Sequence, residues 1–265
     1  MGSCARTRQR RWPGSLLLLI HPPARALAAL LSLLTVLSCA HAGAVVSEVS
    51  VRGAATEISI GAFVDIVGSG FGSEANVTKL TFGPEVNTSK YGPVACTHDA
   101  DEGTSISCGP IVAGVGASIV FTINVDGVAG TPSTVKLNFV APLVNSVTLD
   151  SACGPDMPTA GGSPCEVIIS GANFGPTGNS DVSVRYGPES SVTADLTKYT
   201  PDSCYVKSST KILCTPGPGV GSGLKWTVTA GGQVSLASSH TTDYASPTIT
   251  GVAAGADSAT TGGES

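Results

Sequence analysis

After residue 42 the chain is written in short runs whose apolar and polar residues alternate, the two-residue period of a half-buried β-strand. Val64 and Ile66 alternate with Asp65, and Val167 and Ile169 fill the equivalent positions later in the chain. "SIVFTINVDG" at 118–127 places Ile119, Phe121, Ile123 and Val125 on one face; "LKWTVTAGG" at 224–232 does the same with Leu224, Trp226 and Val228. No helical apolar stripe of useful length occurs after residue 42. Short strands separated by turn signals, in units of about 100 residues, predict an all-β protein built as immunoglobulin-like β-sandwiches.

The pattern occurs twice. "VDIVGSGFG" at 64–72 returns as "VIISGANFG" at 167–175, "FGP" at 82–84 as "YGP" at 186–188, and "TSISCGP" at 104–110 as "TKILCTP" at 210–216. A "GVG" turn follows each at 114–116 and 219–221, and "FVAPLVNSV" at 139–147 returns as "YASPTITGV" at 244–252. Five landmarks in the same order, offset by 103 to 106 residues, mark a tandem duplication.

The glycines at the end of each first repeat strand resemble a nucleotide-binding turn only superficially. A pyrophosphate needs a helix N-terminus after the turn, whereas "SEANVTKLTFGP" alternates like another strand, with Val77, Lys79 and Thr81 against Thr78, Leu80 and Phe82. The second copy also breaks the glycine spacing. Gly68, Phe71 and Gly72, with Gly171, Phe174 and Gly175, are therefore read as structural turns: the glycines allow positive φ and the two phenylalanines enter the core.

The first 42 residues are a different kind of text. Five arginines and no acid occupy residues 1–25, "ALAALLSLLTVLSC" follows at 26–39, and "AHA" closes the segment. A basic region, a short apolar run and an A-x-A end describe a secretory signal peptide cleaved after Ala42. The apolar run is shorter than the ~20 residues that span a bilayer. All nineteen acids but only nine of the fourteen basic residues lie after residue 42, leaving the mature chain at −10. That charge argues against nucleic acid and anionic membrane surfaces, both of which need a basic footprint.

The ordered motifs carry a resemblance. Val64–Gly72 with its G-x-x-F-G-type ending, then Phe82-Gly83, then Ile106-Ser107-Cys108, and again Val167–Gly175, Tyr186-Gly187 and Ile212-Leu213-Cys214, are similar to the pattern of IPT/TIG domains. These are an immunoglobulin-like branch found in plexin and fibrocystin-like ectodomains and in some transcription factors. The resemblance covers nearly all of residues 44–246. It implies stacked adhesion and spacer modules, supplies no catalytic residues, and with the signal peptide and acidity favours the extracellular branch.

Six cysteines follow the signal peptide: Cys96, Cys108, Cys153, Cys165, Cys204 and Cys214. Six allow fifteen pairings, but Cys96 matches Cys204 and Cys108 matches Cys214 in the repeat. The sequential pairs Cys96–Cys108, Cys153–Cys165 and Cys204–Cys214 follow, the middle one closing a loop special to the second unit. Spacing and secretion favour disulfides over zinc.

Asn76 in "NVT" and Asn87 in "NTS" are N-glycosylation sequons. "HDADEG" at 98–103 lacks the ligand spacing of a calcium loop and reads as a solvated acidic turn. Parity places Trp226 in the core rather than on a sugar-binding surface. His98 and His240 sit in no nucleophile motif.

The expectation is a non-catalytic extracellular binding, adhesion or spacer protein without cofactor or metal. Its units are a signal peptide at 1–42, sandwiches at 44–141 and 142–246, and the opening of a third at 247–265. Its partner would be a protein or glycan at the cell surface, and a membrane anchor, if any, would lie beyond residue 265. The alternatives are the accessory stalk of a larger extracellular enzyme, or a glycan-binding surface module. The latter requires exposed aromatic residues that the pattern does not reveal.

Overall fold

The computed structural model describes residues 43–53, 55–99, 103–162, 164–189 and 195–252. The segment read as a signal peptide, Asp101 and Glu102 of the acidic turn, and the stretch after Val252 lie outside the described residues. The fold is all-β, and no helix among the described residues is long and apolar enough to cross a membrane.

The first half comprises β1 (Val45–Val51), β2 (Glu57–Ile58), β3 (Val64–Ser69), β4 (Thr78–Gly83), β5 (Tyr91–His98), β6 (Ser105–Cys108), β7 (Val120–Val125), β8 (Val128–Ala129) and β9 (Asn138–Phe139). Its strand order is β1-β3-β6-β5-β4-β7-β8. This is a sandwich rather than one flat sheet, because β5 serves both layers. Its first part pairs with β4, Tyr91 facing Phe82 and Ala95 facing Lys79; its last part pairs with β6, starting with Cys96 opposite Cys108. The inward residues of both layers meet in one core that includes Val64, Ile66, Leu80, Phe82, Ile106 and Phe121.

The second half repeats the plan with β10 (Leu143–Leu149), β11 (Val167–Ala172), β12 (Val182–Pro188), β13 (Ser203–Ser208), β14 (Lys211–Thr215), β15 (Leu224–Ala230) and β16 (Gln233–Val234). One layer runs β10-β11-β14-β13 and the other β12-β15-β16. Tyr199 bridges Tyr186 of β12 before the chain crosses to β13, as the first part of β5 does. The edge strands share a bulge: register shifts between Val46 and Glu48 in β1, and between Val144 and Ser146 in β10.

That bulge corrects the reason for one glycine of each turn. Gly70, Gly72 and Gly175 have φ of 77°, 80° and 87°, while Asn173 takes φ 63° where the first copy has Gly70. Asn is one of the few side chains that tolerate this region. Gly68 and Gly171 do not have positive φ. They are glycine because the bulged strand runs against them: a Cβ would lie 2.0 Å from the Val45 carbonyl oxygen at Gly68 and 1.9 Å from that of Leu143 at Gly171. The ring of Phe71 or Phe174 closes the same space from the other side, and both rings are fully buried.

The cores differ in chemistry. Phe82 packs among Tyr91, Phe121 and Phe139 at ring separations of 5.6, 6.2 and 6.0 Å. At the same places the second half has Tyr186 stacked on Trp226 (4.0 Å, 9° between planes) and Tyr244. Trp226 is fully buried and donates from Nε1 to Thr242 Oγ1 at 2.9 Å. The Tyr186 and Tyr244 hydroxyls lie 2.6 Å apart; Tyr244 donates to the Gly217 carbonyl (2.6 Å), and the Gly217 amide donates to the Tyr186 oxygen (3.1 Å). Burial, reinforced by the Tyr186 bond, holds the Tyr244 phenol protonated far above the usual range.

Adding one methyl at either tight glycine tests the bulge. Gly68→Ala and Gly171→Ala are each expected to lower stability by about 2–3 kcal/mol, the scale of overpacking a filled site. The readout is the urea-unfolding midpoint, and an unchanged midpoint would show that the neighbouring carbonyl simply moves aside.

Candidate binding surface

The three disulfides are Cys96–Cys108, Cys153–Cys165 and Cys204–Cys214. Two of them join directly opposed residues, Cys96 with Cys108 and Cys204 with Cys214, at the point where the crossing strand reaches its second layer. The third closes the loop between β10 and β11. Asp150 organises that loop by accepting from the backbone N–H groups of Cys153 (3.2 Å) and Glu166 (3.1 Å). Asp150, Cys153 and Cys165 lie close enough together to suggest a metal cluster, but both sulfurs are consumed by the disulfide.

Of the two sequons, Asn87 is exposed in the turn between β4 and β5. Asn76 is half-buried: its Oδ1 accepts from the Ser73 N–H (2.8 Å) and its Nδ2 donates to Asp126 (2.5 Å). His98 meets Thr78 Oγ1 through Nε2 at 3.1 Å, and His240 lies far along the chain beside Ser239. The structure brings none of these polar groups into one chemical centre.

What it does assemble is a row across an outer sheet face. Inward residues of the β10-β11-β14-β13 layer are Val147, Val167, Ile169, Ile212 and Val206, all in the core. The alternate positions must then face outward. Register aligns Thr148 with Ile168, Ile168 with Leu213, and Leu213 with Tyr205. At a strand spacing of about 4.8 Å this row is roughly 14 Å long. Tyr205 is 52% exposed, and Ile168 and Leu213 are half-buried. Ser170 and Lys211 border the strip on one side, Ser203 and Thr215 on the other.

The equivalent row of the first half is wholly polar: Ser50, Asp65, Ser107 and Thr97. Arg52 clamps it, with Nη2 donating to Asp65 (2.8 Å) and Ser107 (2.6 Å), and its guanidinium stands 5.4 Å from the Phe63 ring centre. Burial pulls the Asp65 carboxyl upward; the hydrogen bonds from Arg52 and Ser107 and the Arg52 charge together outweigh it, holding the group below the usual carboxylate range. Tyr205 is an exposed aromatic that the strand pattern alone does not single out. Its signal lies in "SCYVKS", where an inward Val206 forces its neighbour outward.

No family model matches this chain, and no curated protein matches it. Among solved structures, it is similar to the SGBP-B protein of the Bacteroides ovatus mixed-linkage glucan utilization locus, solved in complex with a mixed-linkage heptasaccharide, at 20% identity and a TM-score of 0.23. That match covers 71% of this chain and 42% of the other, so the chain spans less than half the length of its neighbour. The superposition is too loose to carry function across.

The Asp65 clamp has a pH signature. A carboxylate held below its unfolded pKa of about 3.9 contributes stability above that pH and loses it as the pH falls through the lower folded value. Asp65→Asn is expected to lower the unfolding midpoint at pH 7 and to flatten the acid limb below about pH 4, where the wild type loses the same contribution. Parallel acid limbs for the two proteins would dismiss Asp65 as the group responsible.

Proposed function

We propose that this chain is a secreted or cell-surface, non-catalytic binding protein made of stacked IPT/TIG-like sandwiches, and that the second sandwich carries its ligand surface. The observation behind the reading is the Ile168–Leu213–Tyr205 strip. Exposed apolar area costs free energy in water, and the duplicated layer in the first half has a polar row at the same register. An apolar strip with one aromatic ring and a polar border has the composition of a recognition patch. Its run across three strands suits an extended ligand.

Three cross-links within the described residues fit an oxidising compartment, and the exposed Asn87 turn offers an accessible glycosylation acceptor. The first sandwich serves as the spacer: the row equivalent to the strip is polar and clamped by Arg52.

The test uses two arrays, one of cell-surface glycans and one of extracellular protein domains, probed with the wild type and with Tyr205→Ala/Leu213→Ser. Both side chains reach solvent, so the variant is expected to fold and to lose binding to the partner by at least tenfold. Binding that survives the double substitution would overturn the assignment of the face. Absence of binding on both arrays would leave a spacer and refute the ligand-binding reading.

A further inference from the structure

Two repeat-equivalent loops have the same shape and opposite surroundings. Gly114-Val115-Gly116 follows β6 and Gly219-Val220-Gly221 follows β14. Gly116 and Gly221 have φ of 111° and 114°. Behind each loop stands an aromatic ring, so close that a Cβ at Gly114 would lie 2.1 Å from Phe139 and one at Gly219 would lie 2.5 Å from Tyr244. Yet Val115 is 4% exposed and Val220 is 64% exposed.

Val115 is covered by the sandwich that follows it. A Cβ placed at Gly175 would lie 2.9 Å from Val115 Cγ1, and one at Gly231, in the β15–β16 turn, would lie 2.5 Å from the Gly116 Cα. Gln233 Nε2 donates to the Phe139 carbonyl at 2.9 Å, and Lys90 pairs with Asp181. The repeat places the same parts beside Val220. Lys198 stands over the Tyr199 ring (5.1 Å) as Lys90 stands over Tyr91 (5.5 Å), and among the described residues it has no ion-pair partner.

We propose that the Val220–Gly221 loop is the seat of a further sandwich of the same kind, joined through Pro247, which sets a glycine turn on Gly221 and a carboxylate against Lys198. Two observations identify this occupant. Pro247 lines the cleft beside Val220, Gly221 and Tyr244, and Ile249 and Val252 repeat the inward Val144 and Val147 of β10. They are 82% and 89% exposed, against 8% and 4% in β10. A segment with the apolar spacing of β10 and no layer to pack against leads away from the seat.

The other candidate, the first sandwich of a second copy, does not fit. Its β7–β8 turn has Asp126 where the second sandwich has Gly231, with nearly the same backbone (φ 49° and 55°). A side chain there would strike the backbone of the seat, since Gly231 already approaches Gly116 too closely to admit a Cβ. Val77 stands where Asp181 would be needed. The inference concerns stacking and not the ligand of the Tyr205 strip, so the two readings fail separately.

The test reads the transcript past codon 265 and compares amide hydrogen exchange in the chain ending at Ser265 with that in the chain extended by the next encoded unit. The expected result is continuing sequence with a Gly-x-x-Phe-Gly turn, and exchange at residues 219–222 at least tenfold slower in the extended chain. A stop codon directly after Ser265, or unchanged exchange there, would overturn the proposal. Val220→Asp supplies a second reading: it should spare the unfolding midpoint of the shorter chain and lower that of the longer one. Val115→Asp, at the covered loop, should already lower the midpoint of the shorter chain. Equal effects of Val220→Asp in both lengths would also defeat the proposal.

Discussion

In each sandwich the chain passes from one layer to the other between a tyrosine and a cysteine, and both cores depend on that crossing. β5 begins beside β4 with Tyr91 facing Phe82 and ends beside β6 with Cys96 facing Cys108. In the second half Tyr199 faces Tyr186, and the chain then crosses to Cys204 facing Cys214. If the crossing strand slips by one residue, its inward side chains turn to solvent and the two layers lose their common core. A cross-strand disulfide at the landing point forbids the slip. It also limits the unfolded chain, an effect worth about 3 kcal/mol for loops of this order in the chain-entropy account. Units of about 100 residues bury a modest core, so a local covalent clamp matters more here than it would in a larger domain.

With the crossing fixed, the two copies were free to diverge in what they bury and what they show. The first fills its centre mainly with phenylalanines, and Tyr91 at its edge donates to the Val115 carbonyl. The second buries two tyrosines and a tryptophan, and each polar atom finds a partner: Gly217 for the phenols and Thr242 for the indole. Such a network fixes ring positions more tightly than apolar packing, because a misplaced phenol would leave a buried oxygen unbonded. The same half presents the apolar outer strip. The half with the hydrogen-bonded interior is the half with the candidate contact face.

Much of this was legible in the sequence because it is local. Alternation located the strands, duplication matched the cysteines, and parity put Trp226 inside. What stayed hidden depends on neighbours distant along the chain. The need for glycine at Gly68 and Gly171 comes from the carbonyls of Val45 and Leu143 across a bulge, so a turn argument gave the wrong reason for them. Tyr205 was readable in its own strand, but its significance appears only when register sets it beside Leu213 and Ile168. Val115 and Val220 share the same Gly-Val-Gly triplet and differ in whether, among the described residues, another sandwich covers them.

That last contrast gives the stack a direction. The junction needs a turn without a side chain, and Gly231 supplies one while Asp126 does not. Asp126 instead turns its carboxylate to its own sandwich, accepting from the Val77 N–H at 2.8 Å and from Asn76 at 2.5 Å. The end of the first sandwich is thus closed by internal hydrogen bonds at the position where the second is left bare for contact. Asn76, half of that closure, belongs to a sequon, whereas its repeat equivalent Asn179 is followed by Ser-Asp and is not an acceptor. One difference in a two-residue turn, glycine against aspartate, separates a turn that packs on the neighbouring sandwich from a turn that bonds within its own.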